Sequence, residues 1–194
     1  MPFPDETALT NVTIALYQSN WAVEGRDFAH QLRRLVPDAA AIEHIGSTSI
    51  PGMRAKDCLD MMVVVDDISS TSAGSALEAA GFRRRPEPWN VEEPAEGRLW
   101  PKMVFAPRVG ARAVNIHVRP VDAPTTRRAL LFRDFLSADT FHRDTWARFK
   151  TAAAAVTTEL SSYGAIKDPA WLLLMEVAEQ WAATTNWNPS YLSD

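Results

Sequence analysis

The sequence predicts an α/β (α+β) protein, a small mixed sheet with flanking helices followed by a helical C-terminal third. Short apolar runs at 40–45, 58–65 and 113–119 have the length and composition of strands. Ahead of the first run, at 21–36, apolar residues fall at helical spacing, and a further helix reads over 69–80, between the second and third. From Pro124 onward strand patterns cease and helical ones follow. With 194 residues, 46% of them hydrophobic, the chain can bury a sizeable core. It reads as an α/β core over 1–122 with a helical extension over 123–194 packed on it as one compact unit.

Taken in order, residues 1–10 read as a loose lead-in. Val12, Ile14 and Leu16 alternate with Thr13, Ala15 and Tyr17, the pattern of a short strand. Asn20 is placed to cap a helix whose buried stripe is Trp21, Phe28, Leu32 and Leu35, and Pro37 ends it. Ala40 to Ile45 is the next strand, and Gly46 to Gly52 the turn after it. Cys58 to Val65 is nearly continuous apolar, as a strand buried on both faces requires. A helix over 69–80 closed by Gly81 comes next, then a short strand at 82–85. Residues 86–97, rich in proline and glutamate without periodicity, read as a long loop. Leu99 to Ala106 reads as a strand that Pro101 confines to an edge or bulge. In Ala113 to Arg119, Val114, Ile116 and Val118 share one face and Asn115, His117 and Arg119 the other. Helices are predicted to Leu136, over 140–161 with Asp139 as cap, and from Asp168-Pro169 onward, with Tyr163-Gly164 as the break between the last two.

Composition narrows the function. The net charge of −4 argues against a nucleic-acid coat, which needs a strongly basic face. It leaves room for a local basic pocket that takes a nucleotide or phosphorylated small molecule. The single cysteine, Cys58, excludes a disulfide framework within the chain and a cysteine-based zinc site, and its apolar setting reads as a small buried residue. No stretch is long enough to span a bilayer, and the start Met-Pro-Phe-Pro-Asp-Glu lacks signal-peptide character, so the expected compartment is the cytoplasm.

The chemistry concentrates between Glu43 and Val65. Gly46-Ser47-Thr48-Ser49 sets three hydroxyls behind a glycine that lets backbone approach a ligand, the composition of an anion-binding turn. It lacks the Walker spacing. Arg54 and Lys56 follow as phosphate contacts. Asp60 lies within an apolar run, where a carboxylate is costly unless paired or metal-bound. A strand carboxylate beside a phosphate turn is the arrangement magnesium uses to bridge protein and phosphate, so Asp60 is the candidate metal ligand and magnesium the candidate cofactor. On the polar face of the later strand, His117 is a candidate ligand, base or phosphate contact, with Asn115 beside it. Arg98, Lys102 and Lys167 are candidate anion contacts. His44 reads as a brace for the turn. Trp146, Trp171 and Trp181 read as core.

The stretch His44-Ile-Gly-Ser-Thr-Ser-Ile-Pro-Gly-Met-Arg-Ala-Lys56 with Leu59-Asp60 resembles the signature of the GrpB family (UPF0157). Tyr17 to Trp21, Asn115-Ile-His117-Val, Leu131 to Leu136 and Tyr163 to Lys167 extend the resemblance over most of the chain. The family belongs to the nucleotidyltransferase superfamily of polymerase-β-like fold, and its domain also occurs fused to dephospho-CoA kinases. The resemblance implies a small mixed sheet, a Gly-Ser turn for nucleotide phosphates, and acidic residues holding two magnesium ions. Gly46-Ser47 and Asp60 match. The second acid position, two residues on, is Met62, and the third strand offers Asn115 and His117 in place of a carboxylate. The implied function is binding of a nucleotide or phosphorylated small molecule with magnesium-dependent nucleotidyl or phosphoryl transfer to a small acceptor. The alternative is a noncatalytic binder of a nucleotide or CoA precursor.

Overall fold

The computed structural model describes residues 12–189 and 191, so the lead-in predicted over 1–10 lies outside the described residues. The chain runs α1 (Asn20–Leu35), β1 (Ala41–Ile45), β2 (Leu59–Val65), α2 (Ala73–Ala79), β3 (Arg83–Arg84), β4 (Glu92–Ala95), β5 (Arg98–Pro101), β6 (Met103–Ala106), β7 (Val114–Pro120), α3 (Pro124–Ala138), α4 (Thr140–Val156) and α5 (Leu160–Thr185). The main sheet is mixed, in the order β1-β2-β7-β6-β3, with β2 and β7 its parallel pair. β4 and β5 form a separate antiparallel ribbon.

Strand alternation sorts the sheet into two faces. Met61, Val63, Val65, Val114, Ile116, Val118 and Phe105 pack with Trp21 and Leu32 of α1 and Leu77 of α2 in one core. On the opposite face Ala41, Ile45, Met62 and Val64 meet Leu130 of α3. A third cluster joins Phe132, Phe135, Trp146, Met175 and Ala178 of the C-terminal helices to Ile50 and Met53 beyond β1. Met61 to Val65 are all buried, as predicted. At about 1.5–3 kcal/mol for each buried Val or Met side chain, that run offsets the cost of one partly exposed carboxylate at Asp60.

A buried ion pair anchors the helices to the sheet. Glu43 is wholly buried on β1, and its carboxylate accepts from the Arg133 guanidinium of α3. Arg133 Nε also donates to Asp134, whose second oxygen accepts from Trp187 Nε1 just past α5.

Several elements differ from expectation. Asn20 is the first residue of α1 rather than its cap, and its amide donates to Glu24. The predicted strand over 12–17 reduces to one bridge, Ala15 with Ala55, because its neighbour is a loop and not a sheet strand. The helix predicted from Ser69 starts at Ala73: Asp67 gathers the Ser69 amide and the Ser69 and Ser70 hydroxyls into a turn that competes with helix. The predicted loop over 86–97 contains β4, joined to β5 through Glu96 and Gly97. Both have positive φ (50° and 76°), the requirement of a tight two-residue hairpin turn. Pro101 ends β5, so 99–106 is two strands. Asp139 caps α4 as predicted, accepting from the His142 amide, but α4 stops at Val156. Tyr163-Gly164 and Asp168-Pro169 do not break α5, which runs 26 residues with Pro169 inside it. Packing of its apolar side against α3 and α4 overrides the local break signals.

Candidate functional site

Beyond β1 the chain turns sharply at Gly46, with φ +70° and ψ −168°, a conformation open essentially to glycine. A Cβ there would stand 2.6 Å from Asp60 Oδ2, so the glycine also makes room for the carboxylate. Ser47–Ser49 form one turn of 3-10 helix. The hydroxyls divide the labour. Ser49 Oγ donates to the Gly46 carbonyl at 2.7 Å, closing the turn. Thr48 Oγ1 is 3.0 Å from His44 Nε2 on the α1 side of the sheet. The His44 ring lies so close to Gly25 of α1 that a Cβ on that residue would collide with it. Burial lowers the His44 pKa to about 4, keeping the ring neutral and suited to bracing the turn. Ser47 Oγ faces the cavity.

Across the strands Asp60 stands beside Asn115, and Met62 beside His117, because β2 and β7 pair in parallel register. Asn115 Nδ2 donates to Asp60 Oδ1 at 3.0 Å, and His117 Nε2 is 3.6 Å from the same oxygen. Burial alone would raise the Asp60 pKa. Interaction with His117 and the Asn115 hydrogen bond overturn that and hold the carboxyl well below the usual range, so it is ionised at neutral pH. Burial lowers the His117 pKa against the pull of Asp60, and His117 Nδ1 has no hydrogen-bond partner among the described residues.

These residues line a cavity of about 720 Å³ between the sheet and the C-terminal helices. Gly46, Ser47, Thr48, Lys56, Asp60, Asn115, His117 and Lys167 all line it. Lys150 of α4 also reaches it. This lysine is 3% exposed, donating to Ser47 Oγ at 2.8 Å and to the Arg54 carbonyl at 2.6 Å. Burial, then the charges of Lys167 and Lys56 against the opposing pull of Asp60, bring the Lys150 pKa down to about 7. Burial likewise lowers that of Lys167. Trp89, Arg85, Tyr163, Trp171 and Phe132 complete much of the wall.

Four expected contacts stand apart from the lining. Ser49 is turned to its own backbone. Arg54 is exposed and presents its carbonyl to Lys150. Arg98 lies over the Trp100 ring at 3.5 Å on the ribbon. Lys102 donates to Glu93 of β4 at 2.8 Å, and Arg119, which does line the cavity, donates to the same carboxylate at 2.7 Å. Cys58 is half-buried at the cavity and its thiol pKa is pushed up to about 11, by burial and then by Asp60. Sequence reasoning missed Lys150 and Trp89. Lys150 stands among Arg148, Phe149 and Thr151 of α4 with no local feature that marks it, and Trp89 lies in the segment read as a loop.

Of the two carboxylates that line the cavity, Asp168 lies 4.0 Å from Lys167 and Asp60 stands beside the Gly46-Ser47 turn, so Asp60 is the residue that could hold a magnesium ion there. Among the described residues no group of three histidine, cysteine, aspartate or glutamate side chains forms a metal cage. Glu43 of β1, on the same face of the sheet as Asp60, is committed to Arg133.

Fold and site together define a mixed-sheet α/β protein with a cavity at a glycine-serine turn, walled by C-terminal helices. Residues 11–176 match the family described as GrpB protein, and the chain belongs to the GrpB family. A UPF0157 protein of Streptomyces coelicolor is 36% identical over 140 residues, covering 70% of this chain and 67% of that protein. A dephospho-CoA kinase of Mycolicibacterium paratuberculosis is 28% identical over 188 residues, covering 87% of this chain. This chain spans about half, 46%, of that relative's length. Among solved structures, the conserved protein GrpB from Enterococcus faecalis superimposes with a TM-score of 0.70 at 23% identity, over 87% of this chain and 99% of that one. No helix among the described residues is long and apolar enough to cross a membrane.

Proposed function

We propose that the cavity binds a nucleotide or a phosphorylated small molecule, with phosphate oxygens at Ser47 and the lysines and Asp60 carrying one magnesium ion for nucleotidyl or phosphoryl transfer to a small acceptor. The observation that carries this reading is the convergence of Lys56, Lys150 and Lys167 on one cavity beside the Gly46-Ser47 turn. Burial and neighbouring positive charge disfavour the protonated forms of Lys150 and Lys167, and a bound anion would relieve that. Asp60 would hold the metal, which would supply Lewis-acid stabilisation of charge on a transferred phosphoryl group. Around it, Asn115 holds the Asp60 carboxylate in place and His117 keeps it ionised.

A second reading, a noncatalytic binder, is favoured by Met62 and His117, which stand side by side where further acids would otherwise hold metal. The names of the relatives make a CoA precursor a second class of ligand to try. Calorimetry with each ribonucleoside triphosphate and with dephospho-CoA, with and without magnesium, tests both. Binding that Lys167→Ala weakens about tenfold, and that magnesium strengthens through Asp60, supports the transfer reading. Binding indifferent to magnesium and to Asp60→Asn supports the second. No binding of any of these compounds sinks both.

A further inference from the structure

The Ser47–Lys150 contact has the geometry of a nucleophile and its base. Ser47 Oγ stands at the cavity, 2.8 Å from Lys150 Nζ. Lys150 is oriented by a third group, the Arg54 carbonyl at 2.6 Å. A hydroxyl, a base within hydrogen-bond reach and a group that aims the base are the three parts of an activated serine. A neutral amine can donate to the Arg54 carbonyl while its lone pair accepts the Ser47 hydroxyl proton. The Gly46 turn carries Ser47 out of β1 towards the cavity, and Lys56 and Lys167 stand by as counter-charge for an oxyanion.

We propose that Ser47 is a nucleophile activated by Lys150, so that the protein forms a covalent phosphoseryl-type intermediate with its ligand. This rests on the reading that a phosphorylated ligand occupies the cavity. In the first half-reaction Ser47 Oγ bonds to the α-phosphorus of a nucleoside triphosphate, the bond from that phosphorus to the bridging oxygen breaks, pyrophosphate leaves, and the serine proton passes to Lys150 Nζ. In the second, an acceptor oxygen bonds to the phosphorus and the Ser47 Oγ–P bond breaks. Lys150 returns its proton to Ser47 Oγ, and the acceptor proton goes to solvent. The charged groups facing Lys150 are Lys167 of α5, Lys56 of the loop and Asp60 of β2. The two cations favour the neutral amine, which agrees with a Lys150 pKa near 7.

The two roles open to Lys150 predict opposite behaviour. As a phosphate contact it works when charged and is well replaced by arginine. As a base it works when neutral, and arginine cannot replace it because it stays protonated. A fluorophosphonate probe reads the difference without any nucleotide, since the Ser47 Oγ–P bond forms as P–F breaks and fluoride leaves. The expected result is labelling mapped to Ser47 by peptide mass spectrometry, with a rate that rises with pH through about 7. Ser47→Ala should abolish it, and Lys150→Arg should slow it at least about 100-fold, the scale of general-base catalysis. Incubation of the native protein with the four ribonucleoside triphosphates and magnesium should yield a nucleotidyl adduct at the same serine. Absence of Ser47 labelling across pH 6–9, or equal labelling of native protein and Lys150→Arg, overturns the proposal. The wild-type pH profile needs no variant to fold. Labelling of Ser47 with no nucleotide or dephospho-CoA bound in calorimetry would keep the activated serine and remove the ligand reading instead.

Discussion

Gly46 makes two demands on one position: a backbone conformation that side chains avoid, and a neighbouring Asp60 oxygen that would lie 2.6 Å from any Cβ. Gly46→Ala should therefore destabilise by about 1–3 kcal/mol from backbone strain alone, with a further loss from displacing the carboxylate. Urea denaturation measures the first effect, and magnesium-dependent ligand binding the second. An unchanged midpoint would mean that the turn relaxes freely. Much at this scale was legible in the sequence. Gly46, Ser47, Asp60, Asn115 and His117 were singled out because each is anomalous against its neighbours: a glycine and hydroxyls after an apolar strand, or polar groups within an apolar period. For Lys102 and Arg98 the sequence offers a basic strand and the cost of burying a cation without a partner. Charge does not say what a cation pairs with, and Glu93 and Trp100 supply the answers.

At the scale of elements, α5 carries the largest departure from local expectation. Pro169 lacks the amide that would bond the Ala165 carbonyl, yet the helix continues through it. Pro169→Ala should raise stability by about 1–3 kcal/mol, from the proline penalty in a helix interior less the entropy proline removes from the unfolded chain. A thermal melt that stays level or falls would show that the proline relieves strain at the cavity wall, where Lys167 and Asp168 lie. The ribbon of β4 and β5 was hidden for a different reason. Its strands hold Pro94 and Pro101 and two adjacent glutamates, and only pairing through the Glu96-Gly97 turn makes them strands. The ribbon matters to the cavity because it brings Glu93 to Arg119 and Lys102, so these two cations are neutralised from within the chain, whereas Lys56, Lys150 and Lys167 stand on the cavity wall itself.

For the whole molecule, the lowered pKa values of His44, Glu93 and Lys150 should each make stability rise with pH over its own window. His44 has a folded pKa of about 4 against an ordinary 6.5, so the unfolded chain takes up the proton first. Its contribution is complete above 6.5 and fades as pH falls towards 4. Glu93, depressed by Arg119 and Lys102 against the opposing effect of burial, acts in the same direction below its ordinary 4.5. Lys150, lowered from 10.5 to about 7, makes the unfolded state the better proton binder between those values, so stability climbs across that window too. Urea midpoints measured from pH 4 to pH 9 should increase overall; above 9 the buried Cys58 thiol, its pKa pushed up to about 11, loses its proton first in the unfolded chain and opposes Lys150. His44→Gln should flatten the acid limb and Lys150→Met the alkaline one. A stability maximum near pH 5 would contradict this account.

The sequence by itself determined the mixed α/β class, the strand–turn–strand unit from β1 to β2, the two-faced character of β7 and the family, because period-2 alternation and short motifs are local properties of a chain. Only the tertiary structure decided that α5 is one helix, that β4 and β5 pair, and that Lys150 meets Ser47 across 103 positions of sequence. Those outcomes depend on which faces pack together. Burial against distant partners outweighs local propensity there, and a single sequence does not display those partners side by side.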